Sequence, residues 1–172
     1  MTESAKARVL GPNDGKAGKL GSIGVRFMID GGETDRAFSL VEHPMPPRAL
    51  AAPLHRHSRE DEYTFVLEGR VGALVGDDIV YGEPGDLIFK PRGQWHTFWN
   101  ASTTHDARIL EVISPAGFEG YFEELVDLLE RGGAPDPDAL AALAARYGLE
   151  VDLESIPRLT QEYGLQFGKP PE

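Results

Sequence analysis

The sequence predicts an all-β fold, a sandwich or barrel, followed by a helical C-terminal tail. Two observations carry this. Across residues 22–114 the chain breaks into short apolar runs, each bounded by Gly, Pro, Asp or Asn. Short runs at near-regular spacing with turn residues between them mark an all-β domain. After Pro115 the apolar residues recur instead at three- and four-residue spacing, the period of an amphipathic helix.

The opening MTESAKARVLGPNDGKAGKLG is polar and has no apolar signal region, so it reads as a loose lead-in. The predicted strands then follow in order as GVRFMI, AFSLVEH, EYTFVLEG, VGALVG, IVYG, DLIFKP, WHTFWN and ARILEVIS. Gly76-Asp77-Asp78 falls between two apolar runs and predicts a hairpin tip. Glu83-Pro84-Gly85-Asp86 places Pro and Gly at the two central positions of a type II turn. In the tail, FEGYFEELVDLLERGG aligns Phe118, Phe122, Leu125 and Leu129 on one face and ends at a Gly pair. Asp136 and Pro137 supply a cap and a first helical position for DALAALAARYG, with Gly148 just past its end. ESIPRLTQEYG predicts a third, shorter helix. The division expected is residues 1–115 as β-barrel with its lead-in and 116–172 as a helical tail. Each helix has a single apolar stripe, so the tail should pack on the barrel.

Composition narrows the function classes. There are no cysteines, which removes disulfides, thiolate metal sites and a cysteine nucleophile together. A formal net charge of −11 argues against nucleic acid, whose binders present a basic face. No apolar run approaches the roughly 20 residues that span a bilayer, so neither a membrane nor a nucleic acid is an expected partner. A cytoplasmic location is the expectation.

Chemistry concentrates in HRHSREDEYTFVLEG, residues 55–69. His55 and His57 are two apart and share a strand face. Glu62 can join them only if residues 58–61 turn the chain, and Ser-Arg-Glu-Asp suits a turn. Thr64 and Val66 then share the face of Glu62, while Tyr63, Phe65 and Leu67 pack on the other. GDLIFKPRGQWHTFWN adds His96 after a Pro-Arg-Gly turn, with Phe98 and Asn100 on the same face. Three neutral imidazoles and one carboxylate suit Fe, Mn, Co, Ni, Cu or Zn rather than Ca or Mg. His55, His57, Glu62 and His96 are therefore the candidate ligands of one divalent transition metal. Thr64, Val66 and Phe98 are the candidate substrate-facing residues. The other histidines, His43 and His105, are expected in solvent, as are Arg56, Arg92, Glu60 and Asp61. Trp95 and Trp99 face away from His96, toward core or subunit packing. Few cations are expected on inward strand positions.

Residues 55–69 resemble the first motif of the cupins: His-x-His, four residues, Glu, six residues, Gly. Residues 85–100 resemble the second through Gly85, Pro91, Gly93, His96 and Asn100. One position departs, since Ala49 stands where the first motif begins with Gly. DGGETDRAFSLVEHPMPP, SPAGFEGYFEEL and ARYGLEV look like small single-domain cupins grouped with quercetin 2,3-dioxygenase. The resemblance implies a double-stranded β-helix, or jelly-roll, barrel, metal ligands at His55, His57, Glu62 and His96, and a homodimer. It also implies Glu62 as the acceptor of the substrate proton in a dioxygenase that takes O2 and a small enolic or phenolic, flavonol-like substrate. A metal-dependent isomerase or lyase, and a small-molecule binder without turnover, are the alternatives.

Overall fold

The structure is a computed structural model and describes residues 6–132 and 135–168. Two antiparallel sheets face one another. One has six strands: β1 (Ala17–Lys19), β2 (Gly24–Ile29), β3 (Ser39–Met45), β10 (Ala107–Ser114), β5 (Asp61–Glu68) and β8 (Leu87–Lys90), in that spatial order. The other has β11 (Leu149–Asp152), β4 (Leu54–His57), β9 (His96–Asn100), β6 (Val71–Val75) and β7 (Asp78–Gly82). In place of the expected barrel there are thus two sheets, and among the described residues no strand pairing closes them into one.

Alternation along the strands builds the space between the sheets. Val41, Val66, Ile109 and Ile113 project from the six-stranded sheet, and Val71, Ala73 and Phe98 from the five-stranded one, into a single apolar core. The turns form as their residues require. Gly76 takes a positive φ of 61° in the β6–β7 hairpin, and Gly85 one of 99° before β8. Asp86 N–H closes the second turn onto the Glu83 carbonyl at 2.9 Å. Ala49 does not disturb the bend where the first motif has Gly, because the left-handed residue is its neighbour Arg48, at φ 61°.

The tail holds α1 (Glu119–Glu130), α2 (Pro137–Arg146) and α3 (Ser155–Tyr163). Asp136 caps α2 through the Asp138 N–H at 3.0 Å, and Gly164 ends α3 in the left-handed conformation. Gly132 follows α1, while Gly133 of the expected pair lies outside the described residues. The tail is not wholly helical. Leu149–Asp152 is a strand that pairs with β4, placing Val151 opposite His55 and Leu149 opposite His57. Phe118 and Val126 of the α1 segment and Ala144 of α2 join the core between the sheets. A second cluster lies outside the five-stranded sheet, where Trp99 and Leu50 pack against Leu159 and Leu165. The Trp99 indole stacks on Tyr163 with ring centroids 4.8 Å apart.

The outer face of β5 and β8 departs from expectation. Phe65, Leu87 and Phe89 are exposed, and Tyr63 stacks on Phe89 at 5.0 Å without further cover. The strand period decides this, since turning these apolar residues inward would drive Glu62, Thr64 and Lys90 outward.

Leu159 is fully buried and ties α3 to Trp99. Leu159→Ala should cost about 2–5 kcal/mol, lowering Tm by roughly 2–4 °C for each kcal/mol. Leu153→Ala, at an exposed position next to the same helix, should stay within about 0.5 kcal/mol of the parent. Thermal melts of the two variants check this, and equal melting would detach α3 from the cooperative unit.

Candidate metal centre

The sheets bring the four sequence-predicted ligands together. β4 pairs with β9 so that His55 lies directly opposite His96. His57 follows two residues on, and Glu62 reaches across from β5 of the other sheet. All four residues are buried. One ligand atom from each lies within 4.8 Å of all the others. Donors bound to one ion at about 2.0–2.2 Å lie at most about 4.4 Å apart, so small movements would close the set. Residues 58–61 do turn the chain, and the Gly93 N–H ties the loop before β9 to the His57 carbonyl at 2.8 Å. Asn100 pins the far end of β9: its amide donates to the carbonyls of Met45, Pro46 and His105 at 2.8–3.1 Å.

Ring orientation shows what the site is built to hold. Nδ1 of His55 lies 2.8 Å from the Pro53 carbonyl, and Nδ1 of His96 lies 3.0 Å from that of Gln94. A carbonyl only accepts, so each Nδ1 carries the proton and each neutral ring keeps a bare lone pair on Nε2. Burial keeps both rings neutral by lowering their pKa, that of His55 far below its ordinary value. Yet Nε2 of His96 faces Oε2 of Glu62 at 3.2 Å. With the ring neutral, both of these atoms are acceptors. His57 adds to the conflict. Both its ring nitrogens are buried without a hydrogen bond, with Nε2 3.3 Å from Glu62 Oε1 and Nδ1 3.6 Å from Glu60 Oε2. A cation held among these buried acceptors would satisfy them, and this donor set suits a first-row transition ion.

Glu60 is a correction to the solvent expectation. It is buried behind His57, with Oε2 3.6 Å from Nδ1 of that ring. Asp61, half-buried, does pair outward with Arg92 at 2.7 Å. Arg56 also faces outward, over Trp95 and 2.8 Å from Glu150.

Lys90 and Glu111 were not anticipated. Lys90 lies opposite Glu62 in register, fully buried, with Nζ 2.8 Å from Glu62 Oε2 and 3.0 Å from Glu111 Oε2. The Thr64 hydroxyl sits 2.9 and 3.0 Å from the two oxygens of Glu111. The Lys90 ammonium also lies 4.5 Å from the centre of the Phe98 ring. Burial alone would raise Glu62, but the charge of Lys90 outweighs it and holds the carboxyl well below its usual range. Burial pushes Glu111 up to about 7 against the pull of Lys90. Burial would lower Lys90, but Glu111 and Glu62 together keep it raised and charged. Of the candidate substrate-facing residues, Thr64 is engaged with Glu111, Val66 is fully buried in the core, and Phe98 lies beneath Lys90.

His43 is the other correction, since only His105 is exposed. His43 projects inward between Val41 and Met45, its Nδ1 2.8 Å from the Gly24 carbonyl and its ring edge-on to Phe122 at 5.3 Å. Strict alternation along β3 was the available signal. Phe118 covers the remaining side of His57, edge-on with centroids 4.3 Å apart.

Comparison with known proteins bears on the fold. Residues 42–113 match the family model described as Cupin domain. No curated protein matches significantly. Among solved structures, the chain is similar to the polyketide cyclase RemF from Streptomyces resistomycificus at 27% identity and a TM-score of 0.54, over 63% of this chain and 80% of that one. KdgF from Halomonas sp. aligns at 15% identity and a TM-score of 0.57, over 67% of this chain and 99% of that one. Streptomyces Pac13, in a structure with uridine, aligns at 15% identity and a TM-score of 0.54, over 67% and 88%. The last two show the fold alone. Among the described residues, no helix is long and apolar enough to cross a membrane.

The burial of His43 makes a pH prediction. Burial is the main cause that lowers its pKa to about 4. The unfolded chain takes up this proton near pH 6.5, so between roughly pH 6.5 and 4 the unfolded state binds more protons. Stability must therefore fall as pH falls through that window. His55 and His96 add losses of the same sign. His43→Asn keeps a donor for Gly24 and removes one titration. From pH 7 to pH 5 the parent should lose about 1–2 kcal/mol more than His43→Asn, measured by urea unfolding at each pH. Equal losses would mean that His43 is not held neutral by burial.

Proposed function

We propose that this chain is a mononuclear metal cupin that acts on a small enolic or phenolic substrate through proton transfer. One observation carries the metal reading: buried, oriented imidazole lone pairs face a carboxylate that also only accepts. His55, His57, Glu62 and His96 would hold the ion, which when bound supplies a Lewis acid that stabilises the charge of an enolate or phenolate. Glu62 is a ligand first. In this reading it also takes the substrate proton, and Lys90 keeps it ionised for that role. Phe98 and Val66 are core residues behind the site, while Thr64 acts by holding Glu111.

The substrate class is supported by the likeness to RemF, a polyketide cyclase. That likeness favours non-oxidative chemistry. The dioxygenase reading rests on the spaced motifs and uses the same site with O2 added. Turnover of a panel of flavonols and aromatic polyketides, with and without O2, separates the two. Consumption only under O2 supports a dioxygenase, and anaerobic product formation supports a cyclase or isomerase. No turnover with any of the six metals would leave a binding module.

Two substitutions test the residues. His96→Ala should lose most bound metal, whereas His105→Ala should keep it; metal analysis of the purified variants decides, and equal loss would overturn the ligand set. Glu62→Gln keeps an oxygen donor but loses the base. Compared per bound metal, its turnover should fall about 10²–10⁴-fold. Unchanged turnover would leave Glu62 a ligand only.

A further inference from the structure

The strand register lines up two apolar rows on the outer face of the six-stranded sheet. Leu110, Phe65 and Leu87 stand side by side across β10, β5 and β8, and Val112, Tyr63 and Phe89 form the next row. Phe65, Leu87 and Phe89 are 39%, 58% and 49% exposed. The helices lie elsewhere. α3 covers the outside of the five-stranded sheet, and α1 and α2 pack against β1, β3 and β11. The charges that border the rows pair off within the chain. Arg26 and Arg108 meet Glu42, Arg108 also meets Glu68, and Arg92 meets Asp61. An apolar centre inside a polar rim is the anatomy of a protein interface, and contiguous exposed apolar surface marks one.

We infer that this face is the docking surface for a second copy of this chain, packed sheet against sheet. The resemblance names no surface for a homodimer, and the register of these rows does. Charge selects the occupant. Two chains of net charge −11 repel one another, and they meet at least cost where local charge cancels, as it does around these rows. A strongly basic partner would instead be drawn to the open edge of β7, where Asp77, Asp78, Glu83 and Asp86 are exposed. The same four carboxylates oppose edge-to-edge pairing of two copies. Shape agrees with charge. Two such sheet faces pack about 10 Å apart with their side chains interdigitated. The face spans β3, β10, β5 and β8, four strands at about 4.8 Å and roughly five residues at about 3.4 Å. With one further strand spacing of rim on every side, the footprint is roughly 770 Å², close to the roughly 800 Å² per partner of a standard interface. Docking here does not depend on a metal in the site.

Sedimentation of the full chain across a range of concentrations tests this. The parent should dimerise, and about 1 M salt should not dissociate it, because no charge crosses the centre of the face. Phe65→Glu/Phe89→Glu puts a charge into each row and should raise the dissociation constant more than about 100-fold. Ile79→Glu, at the exposed β7 edge, should leave it unchanged. A parent that stays monomeric at every concentration would overturn the inference and leave the face to a different partner. A dimer that survives Phe65→Glu/Phe89→Glu, or is lost in Ile79→Glu, would overturn the choice of face. A measurement on the parent alone covers the case in which the variants do not fold. In hydroxyl-radical footprinting, dilution through the dissociation range should raise oxidation of Tyr63, Phe65 and Phe89 but not of Tyr81. Equal change at all four overturns the assignment.

Discussion

A carboxylate at the meeting of two sheets, with imidazoles on one side and an ammonium on the other, constrains everything around it. Glu62 is buried, so its charge must be met by groups that the fold puts in place. Lys90 meets one oxygen from the neighbouring strand, and the three imidazoles crowd the opposite side. Removing one partner of such a buried pair typically costs about 3–5 kcal/mol, because the remaining charge is stranded. The register of β5 against β8 is therefore fixed by charge as well as by packing. A slip of one residue would turn Glu62, Thr64 and Lys90 out and bring Tyr63, Phe65 and Phe89 into a space that suits polar groups. Exposed aromatic residues on the outer face are the cost of keeping the charged set inside.

This cost explains what the sequence could and could not reveal. His55, His57, Glu62 and His96 were legible because their spacing serves geometry alone: two histidines on one strand face, a turn, and a histidine behind a Gly turn. The turns at Gly76 and Gly85 and the Asp136 cap were legible for the same local reason. Lys90 and Glu111 were hidden by the usual preference for apolar residues inside. In LIFK that preference points Leu87 and Phe89 inward and Lys90 outward, the reverse of the structure. ARILEVIS did carry a signal, since Glu111 falls in phase with Ile109 and Ile113, both fully buried. His43 was equally in phase with Val41 and Met45, although it stands at the end of the predicted strand, just before Pro44. Glu60 could not be read at all, because its burial depends on how residues 58–61 fold under His57. The strand at Leu149–Asp152 is short and gains its order from pairing with β4, an interaction between segments far apart in sequence.

The tail bears on the site as well as on stability. Leu149 and Val151 pair with the two histidines of β4, so β4 has a neighbour on each side, β9 and β11. That flanking holds the direction of the His55 and His57 side chains more firmly than an edge strand could. Phe118 presses on the His57 ring, and Phe122 on His43. A ligand ring clamped by an aromatic edge on one side and faced by Glu60 at Nδ1 has little rotational freedom. Preorganisation of this kind lets a metal bind without first ordering its ligands.

Charge balance then narrows what such a site would accept. On the proposed reading, Lys90 stands between Glu62 and Glu111, and a divalent ion would stand among Glu62 and the imidazoles, with the buried Glu60 carboxylate behind His57. Such an ion would favour a substrate that offers it an anionic oxygen, as enolates and phenolates do. On the same reading Lys90, 2.8 Å from Glu62, keeps the carboxylate ionised, and a carboxylate base suits conjugated enols and phenols better than an unactivated C–H bond.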